Sequence, residues 1–245
     1  MKLKKIIAAL VVGAALTAGV FADNHPYGMD IAIGPVGFEH YETRFDGWRT
    51  RTEDTHSVLE ILPIKVNTYL CPWIGNHLGI YASVGFLPGL EFNYKTKTDG
   101  VKTNLDGIGF GFAAEFMAGP CFGLDLGSSS VRFQIGAPLH ALIGIGFVSW
   151  DASYNRRTGR FESSADTRIT WSAFGVGLTP QFRFGAGKRC SFVIGADFVF
   201  DFIYNQTWET TTAGVTVTTS PTAGADKSCR FAVTPYLGVG LNFGD

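Results

Sequence analysis

The run from Phe192 to Asn205 puts Phe192, Ile194, Ala196, Phe198, Phe200, Phe202 and Tyr204 on one parity and Val193, Gly195, Asp197, Val199, Asp201, Ile203 and Asn205 on the other. Successive side chains of a strand point to opposite faces, so the first face is large and apolar while the second mixes glycine with isolated charge. Two-residue alternation of this kind extends from Met29 to Phe243. Its segments reach or exceed the roughly 9–11 residues of a membrane-crossing strand, against about 5–6 for an ordinary globular one. Beyond residue 22 every apolar stretch is interrupted by glycine or a polar residue before it reaches helical-span length, so the chain crosses a membrane as a closed sheet or not at all.

Segment by segment, strands are expected near 29–45, 57–71, 77–94, 107–120, 130–149, 167–184, 191–205 and 228–243. An even number suits closure, and the connections alternate in character: 46–56, 95–106, 150–166 and 206–227 are long and polar, 72–76 and 185–190 short, 121–129 intermediate. Long loops outside and short turns in the periplasm is the usual asymmetry. The fold class is therefore all-β, an eight-stranded antiparallel up-and-down transmembrane β-barrel spanning 23–245, with no residues left for a second domain. In the first strand the phase slips at Gly34-Pro35, where a bulge lets Ile31 and Ile33 share a face with Val36 and Phe38.

Energy fixes which face is outside. Ile108, Phe110, Phe112, Ala114 and Phe116, and then Phe133, Ile135, Ala137, Leu139, Ala141, Ile143, Ile145 and Phe147, carry no charge. Glu115, Arg132, Gln134, His140, Gln181, Arg183, Asp197, Asp201 and Asn242 fall on the opposite parity. Turning Arg or Lys to the lipid midplane costs about 2–4 kcal/mol each, which rules out the inverted register. A soluble barrel would present the other face to water, but Gly109, Gly111, Gly136, Gly144, Gly146, Gly175, Gly177, Gly238 and Gly240 give that face too little polarity for a solvated exterior.

Eight strands enclose a space that side chains fill or that holds one small ligand. The candidate lumen network is Lys65, Glu115, Arg132, Gln134, His140, Gln181, Arg183, Asp197 and Asp201, in which opposite charges neutralise one another and plug the interior. Inward glycine argues the other way, since missing side chains leave volume for a narrow path or pocket, although glycine also serves tight curvature.

Residues 1–22 read as a signal peptide: a basic Met1-Lys2-Leu3-Lys4-Lys5, an apolar Ile6 to Val20, and Val20-Phe21-Ala22 before a cut at Asp23. The chain has 20 basic and 21 acidic residues; losing Lys2, Lys4 and Lys5 leaves 17 against 21, a formal charge of −4. That balance gives no reason to expect nucleic acid. His25, His40 and His77 lack metal-ligand spacing, and no phosphate loop or zinc cysteine pattern occurs, so no cofactor is expected.

Aromatic residues at strand ends suggest interfacial girdles: Trp150 and Trp171 by the third long loop, Tyr204 and Trp208 by the fourth, Tyr94 by the second, Tyr69 and Trp73 at the first short turn. With this architecture, and with the last strand Phe231-Ala-Val-Thr-Pro-Tyr-Leu-Gly-Val-Gly-Leu-Asn-Phe243, the chain resembles the small eight-stranded outer-membrane proteins, the group of the OmpA transmembrane domain, OmpX, OmpW and PagP, over essentially all of 23–245. The resemblance implies residence in the outer membrane, contact with its lipids and lipopolysaccharide-type glycolipid, and assembly by the outer-membrane insertion machinery. Gly244 and Asp245 depart from the pattern, because the class usually ends on the aromatic. The likeness to OmpW implies a channel or site for small hydrophobic molecules, and that to PagP admits a lipid-modifying enzyme.

The residues themselves do not favour catalysis. Asp54, His56 and Ser57 hold the chemical types of an activated hydroxyl, but neighbours on a strand point to opposite sides, and His140 reads as a lumen group. The expectation is a structural or surface-interaction protein, not an enzyme, working through its outer loops. Arg156, Arg157 and Arg160 in the third loop, with Trp208 beside the fourth, are the candidate contacts for lipopolysaccharide phosphates, acidic glycans or a protein partner. Thr207–Thr211 and Val215–Thr219 keep β character around Ala213-Gly214, so that hairpin is expected to continue beyond the membrane and offer an edge to a partner strand. Cys71, Cys121 and Cys190 fall at the short-turn end and Cys229 at the other, so at most one bridge forms among the first three, and its members are not readable from spacing.

Overall fold

The computed structural model describes residues 27–46, 51–74, 77–99, 101–105, 107–126, 131–150, 153–155, 160–162, 165–185, 189–212, 215–220 and 222–243. The expected export segment, residues 1–22, lies outside them. Alternation is realised as eight long strands: β1 (Tyr27–Ile33 and Val36–Asp46), β2 (Arg51–Ile61 and Ile64–Trp73), β3 (Leu78–Thr98), β4 (Val101–Leu105 and Gly107–Asp125), β5 (Val131–Gly136 and Leu139–Trp150), β6 (Ala165–Phe184), β7 (Cys190–Thr212) and β8 (Lys227–Phe243). Each pairs antiparallel with the next, and β8 returns to β1 through Tyr27↔Phe243 to Ile33↔Leu237 and Val233↔Phe38 to Lys227↔Arg44. The ring leaves no barrel strand unpaired, which is how a sheet satisfies its backbone in lipid. The protein is an eight-stranded antiparallel up-and-down transmembrane β-barrel, and the described residues include no helix.

Lipid-facing positions form an apolar belt around the whole ring, from Ile31, Ile33 and Phe38 through Phe86, Phe110, Ile143, Val176 and Phe200 to Leu237 and Val239, the last 61% exposed. Inward positions are buried and largely polar. β1 and β2 are interrupted side by side, at Gly34-Pro35 and Leu62-Pro63, where the Gly34 amide donates to the Pro63 carbonyl at 2.8 Å. Across this break Ile31, Ile33, Val36 and Phe38 all stay exposed, so the face is kept despite the slip.

The outer ends differ from a simple strand-and-loop plan. β1 and β2 pair out to Asp46↔Arg51, β3 and β4 out to Thr98↔Val101, and β7 runs to Thr212 to pair with Val215–Thr219. Much of 46–56, 95–106 and 206–227 is thus continued hairpin. Segments such as Thr52-Glu53-Asp54-Thr55 retain extended conformation without an apolar face, so hydrophobic alternation alone stops short of the strand ends.

Three aromatic assignments are corrected. A register irregularity between Phe174 and Gly175 pairs Phe174 with Ile203 and Gly175 with Asp201, leaving Phe202 and Ile203 both exposed. This bulge reverses the phase of β7, so Tyr204 turns into the lumen, where its ring centroid lies 4.6 Å from that of Tyr41. Tyr69 is fully buried against Tyr81, at 4.9 Å between centroids. Trp171 also points inward, packing on Leu87, Ala113, Leu142 and Ala173 rather than joining a girdle. Trp73 is exposed at the first short turn, while the side chains of Tyr94 and Trp150 lie outside the described set.

Candidate functional site

The lumen is built where the inward parity of consecutive strands comes to one height. Lys65 of β2 extends its ammonium to 2.6 Å from Glu115 Oε2 on β4 and 2.6 Å from Asp197 Oδ2 on β7. Glu115 Oε1 faces His140 Nε2 of β5 at 3.2 Å, and His140 Nδ1 lies 2.6 Å from Asp201 Oδ1 of β7. Asp201 Oδ2 accepts from Arg230 Nη1 of β8 at 2.8 Å, and Arg230 grips Glu39 of β1 through Nη2 at 2.6 Å and Nε at 3.1 Å. Tyr41 donates its hydroxyl to Glu39 and lies under the guanidinium, which is 5.8 Å from its ring centroid. Glu60 of β2 accepts from Thr234 at 2.7 Å and lies 3.9 Å from Arg230. One chain of contacts therefore runs from Asp197 across the interior to Glu39. Such pairing offsets the several kcal/mol that each buried ion loses in dehydration.

A second cluster lies nearer the short-turn end. Gln181 donates to Gln134 at 2.8 Å and to Asp30 at 3.4 Å, and it accepts from Tyr236 at 3.3 Å. Arg183 pairs with Asp30, donates to Ser191 at 2.9 Å and reaches Asn242. Arg132 pairs with Asp125 at 2.9 Å, at the rim.

All nine residues proposed for the lumen network are buried on the inner face. Five, Lys65, Glu115, His140, Asp197 and Asp201, meet in the upper chain; Gln134, Gln181 and Arg183 meet in the lower cluster; Arg132 pairs with Asp125. Asp30, Glu39, Tyr41, Glu60 and Arg230 complete these groups and were not singled out from sequence. Parity alone marks them: Arg230 alternates with the outward Phe231, and Glu39 lies opposite Phe38 after the Gly34-Pro35 slip.

Above the ion pairs, Glu39, Val58, Glu60, Leu87, Ala113 and Trp171 line a cavity of about 20 Å³, room for a single water. A larger cleft, about 360 Å³, opens at the outer end where β7 and β8 part after Asp201↔Arg230; Phe202, Ile203, Tyr204, Thr222, Lys227 and Cys229 line it. The Gln206 amide donates to Thr222 Oγ1 at 2.9 Å at this rim.

Of the surface candidates, Arg156 and Arg157 lie outside the described residues. Arg160 is in a short hairpin, Arg160–Glu162 paired with Ser153–Asn155. Trp208 is half-buried and shares the parity of Tyr204 and Gln206. Val215–Thr219 pairs with β7 on one edge and is exposed at every residue. Ser57 Oγ lies 3.3 Å from His40 Nδ1, a pair on the outward face of β1 and β2. Among the described residues no group of three or more His, Cys, Asp or Glu could hold a metal ion.

The closed ring, the apolar belt and the charged interior decide the architecture. The chain has the fold of the small outer-membrane β-barrels. No family model matches it, and no curated protein does. Among solved structures it is similar to Ail, the attachment invasion locus protein of Yersinia pestis, at 14% identity over 87% of this chain and 98% of that one, TM-score 0.36. It is also similar to a major outer membrane protein from Thermus thermophilus (13%, 86% and 99%, TM-score 0.41) and to OprG from Pseudomonas aeruginosa (11%, 91% and 99%, TM-score 0.39).

Proposed function

We propose that residues 1–22 export this chain, that residues 23–245 reside in the outer membrane as a closed barrel, and that it acts as a surface-interaction protein through its outer hairpins. The observation that carries this reading is the crosswise chain of charged and hydrogen-bonded side chains from Asp197 to Glu39, above which the cavity lined by Glu39, Glu60 and Trp171 has room for about 20 Å³. A filled interior leaves the outer surface as the working part. There Val215–Thr219 offers an uncharged strand edge, and Arg156, Arg157 and Arg160 add cationic donors suited to lipopolysaccharide phosphates, acidic glycans or an acidic protein. Lipids of the membrane and its insertion machinery are the partners that residence there requires.

The test has two arms. In planar bilayers the full barrel should give no discrete conductance steps, and steady open steps would remove the plug. In binding to an acidic-glycan array and to lipopolysaccharide-bearing vesicles, removal of 153–162 or of 213–221 should abolish capture, and unchanged capture after both removals would sink the recognition role.

One observation favours a second reading. The cleft between β7 and β8 combines Phe202 and Ile203 with Thr222 and Lys227 and has the volume of a small-ligand site. It suits a small hydrophobic molecule entering sideways from the outer leaflet. Saturable partitioning of a fluorescent apolar probe, lost when Ile203→Glu is introduced, would support it.

A further inference from the structure

Cys71 of β2 and Cys121 of β4 are buried on the lumen side with their sulfurs 3.3 Å apart. Their strands are not neighbours, since β3 runs between them. At about 4.8 Å per strand, a flat sheet would hold residues two strands apart beyond the roughly 7 Å Cα separation that a bridge tolerates. Gly79 removes the obstacle. It is the register partner of Cys121, and a methyl group on it would fall 1.7 Å from the Leu70 carbonyl oxygen and 2.4 Å from Cys71 Cα. The β2 backbone therefore leans inward over a residue with no side chain, at the irregularity in the β2–β3 register between Leu70 and Trp73. Two thiols thus meet across an intervening strand, an arrangement that regular pairing does not produce.

We propose that Cys71 and Cys121 form an intramolecular disulfide in the exported protein, stapling β2 to β4 over β3 at the short-turn end of the lumen. The proposal rests on the outer-membrane reading only for its oxidising surroundings. Closing the sulfurs from 3.3 Å to bond length takes a movement of about 1.2 Å. Cys190 is exposed on the outward parity opposite Leu241, and Cys229 lies at the far end opposite Glu42, so neither competes.

The oxidant is a disulfide, R–S–S–R, of a thiol-exchange protein or a small molecule. One cysteine thiolate attacks it and releases R–SH; the second attacks the mixed disulfide and releases another R–SH. Two cysteine thiols and one R–S–S–R become the Cys71–Cys121 bond and two R–SH, with both protons and two electrons passing to the oxidant. Because both sulfurs are buried in the finished barrel, exchange occurs before the ring closes.

The test uses the full chain with its leader, expressed in a Gram-negative host and quenched in acid before fractionation. Free thiols are blocked with light iodoacetamide in denaturant; disulfides are then reduced and the thiols they release are labelled with heavy reagent. In outer-membrane material Cys71 and Cys121 should carry heavy label at more than tenfold excess, and Cys190 and Cys229 light label. All four light in that fraction overturns the disulfide while the location stands; a heavy Cys190 overturns the pairing. A chain absent from the fraction overturns the location alone, and a second arm then decides the bridge: unfolded protein is folded into detergent micelles with oxidised glutathione. The Cys71–Cys121 peptide pair, abolished equally by Cys71→Ser and Cys121→Ser, is the expected product; its absence, or random pairing, overturns the proposal.

Discussion

Arg230 holds Glu39 with two parallel donors, Nη2 at 2.6 Å and Nε at 3.1 Å, while both residues are cut off from water inside the barrel. This fork joins β8 to β1, the seam at which the ring closes. Removing Arg230 leaves the buried Glu39 carboxylate without its cation, a defect of about 3–5 kcal/mol, whereas Arg230 without Glu39 keeps Asp201 at 2.8 Å. Arg230→Met should therefore destabilise the barrel by that order. Arg230→Met with Glu39→Gln should cost clearly less than the sum of the two single changes, because neither variant group is left charged. Urea unfolding of the vesicle-inserted protein, followed by the gel mobility of the folded form, measures both. Additive losses would mean that the fork contributes nothing to closure.

Trp171 lies over Gly144, where a methyl group would fall 2.2 to 2.5 Å from three indole atoms. Gly144→Ala should cost about 1–3 kcal/mol through overpacking. Trp171→Leu in the same chain should recover most of it, since the shorter side chain vacates that volume. A thermodynamic cycle over the four proteins tests the contact, and an unchanged cost of Gly144→Ala in the Trp171→Leu background would show that the strain comes from elsewhere.

Phe198 and Asp197 are chain neighbours on opposite faces, one 40% exposed in the belt and the other 1% exposed against Lys65. Phe198→Arg should cost about 2–4 kcal/mol if that height is near the lipid midplane and less towards an interface. Folding yield into vesicles of two acyl-chain lengths reads the depth; no loss in either would place Phe198 outside the hydrocarbon.

Parity made most of this architecture legible. The charge-free runs around Phe110 and Ile143 define the outer face, and Lys65, Glu115, His140, Asp197 and Asp201 follow from it as inward groups. What escaped has identifiable causes. Phe202 and Ile203 are both apolar, so the bulge that exposes both leaves no mark in hydropathy, and Tyr204 beyond it changes face unannounced. Glu39 lies past the Gly34-Pro35 slip and Arg230 near the expected start of its strand, and their pairing spans 191 residues, so no local pattern joins them. The meeting of Cys71 and Cys121 depends on a backbone lean over Gly79, which no spacing encodes.

The outer hairpin gives the last prediction. Val215 and Val217 are 65% and 54% exposed on a strand that pairs with β7 on one edge, and Val215–Thr219 carries none of the charges or prolines that commonly blunt an edge. Val217→Lys touches no buried contact and should change barrel stability by less than about 0.5 kcal/mol. If a partner adds a strand here, the same change should lower its affinity severalfold, because the added chain must desolvate the ammonium as it pairs. Val217→Thr, which keeps β propensity without charge, should leave binding near the parent level. Measuring both variants by surface capture separates backbone pairing from side-chain recognition. Equal loss in the two would point to the valine side chain as the contact, and no loss in either would move recognition to the Arg160 hairpin.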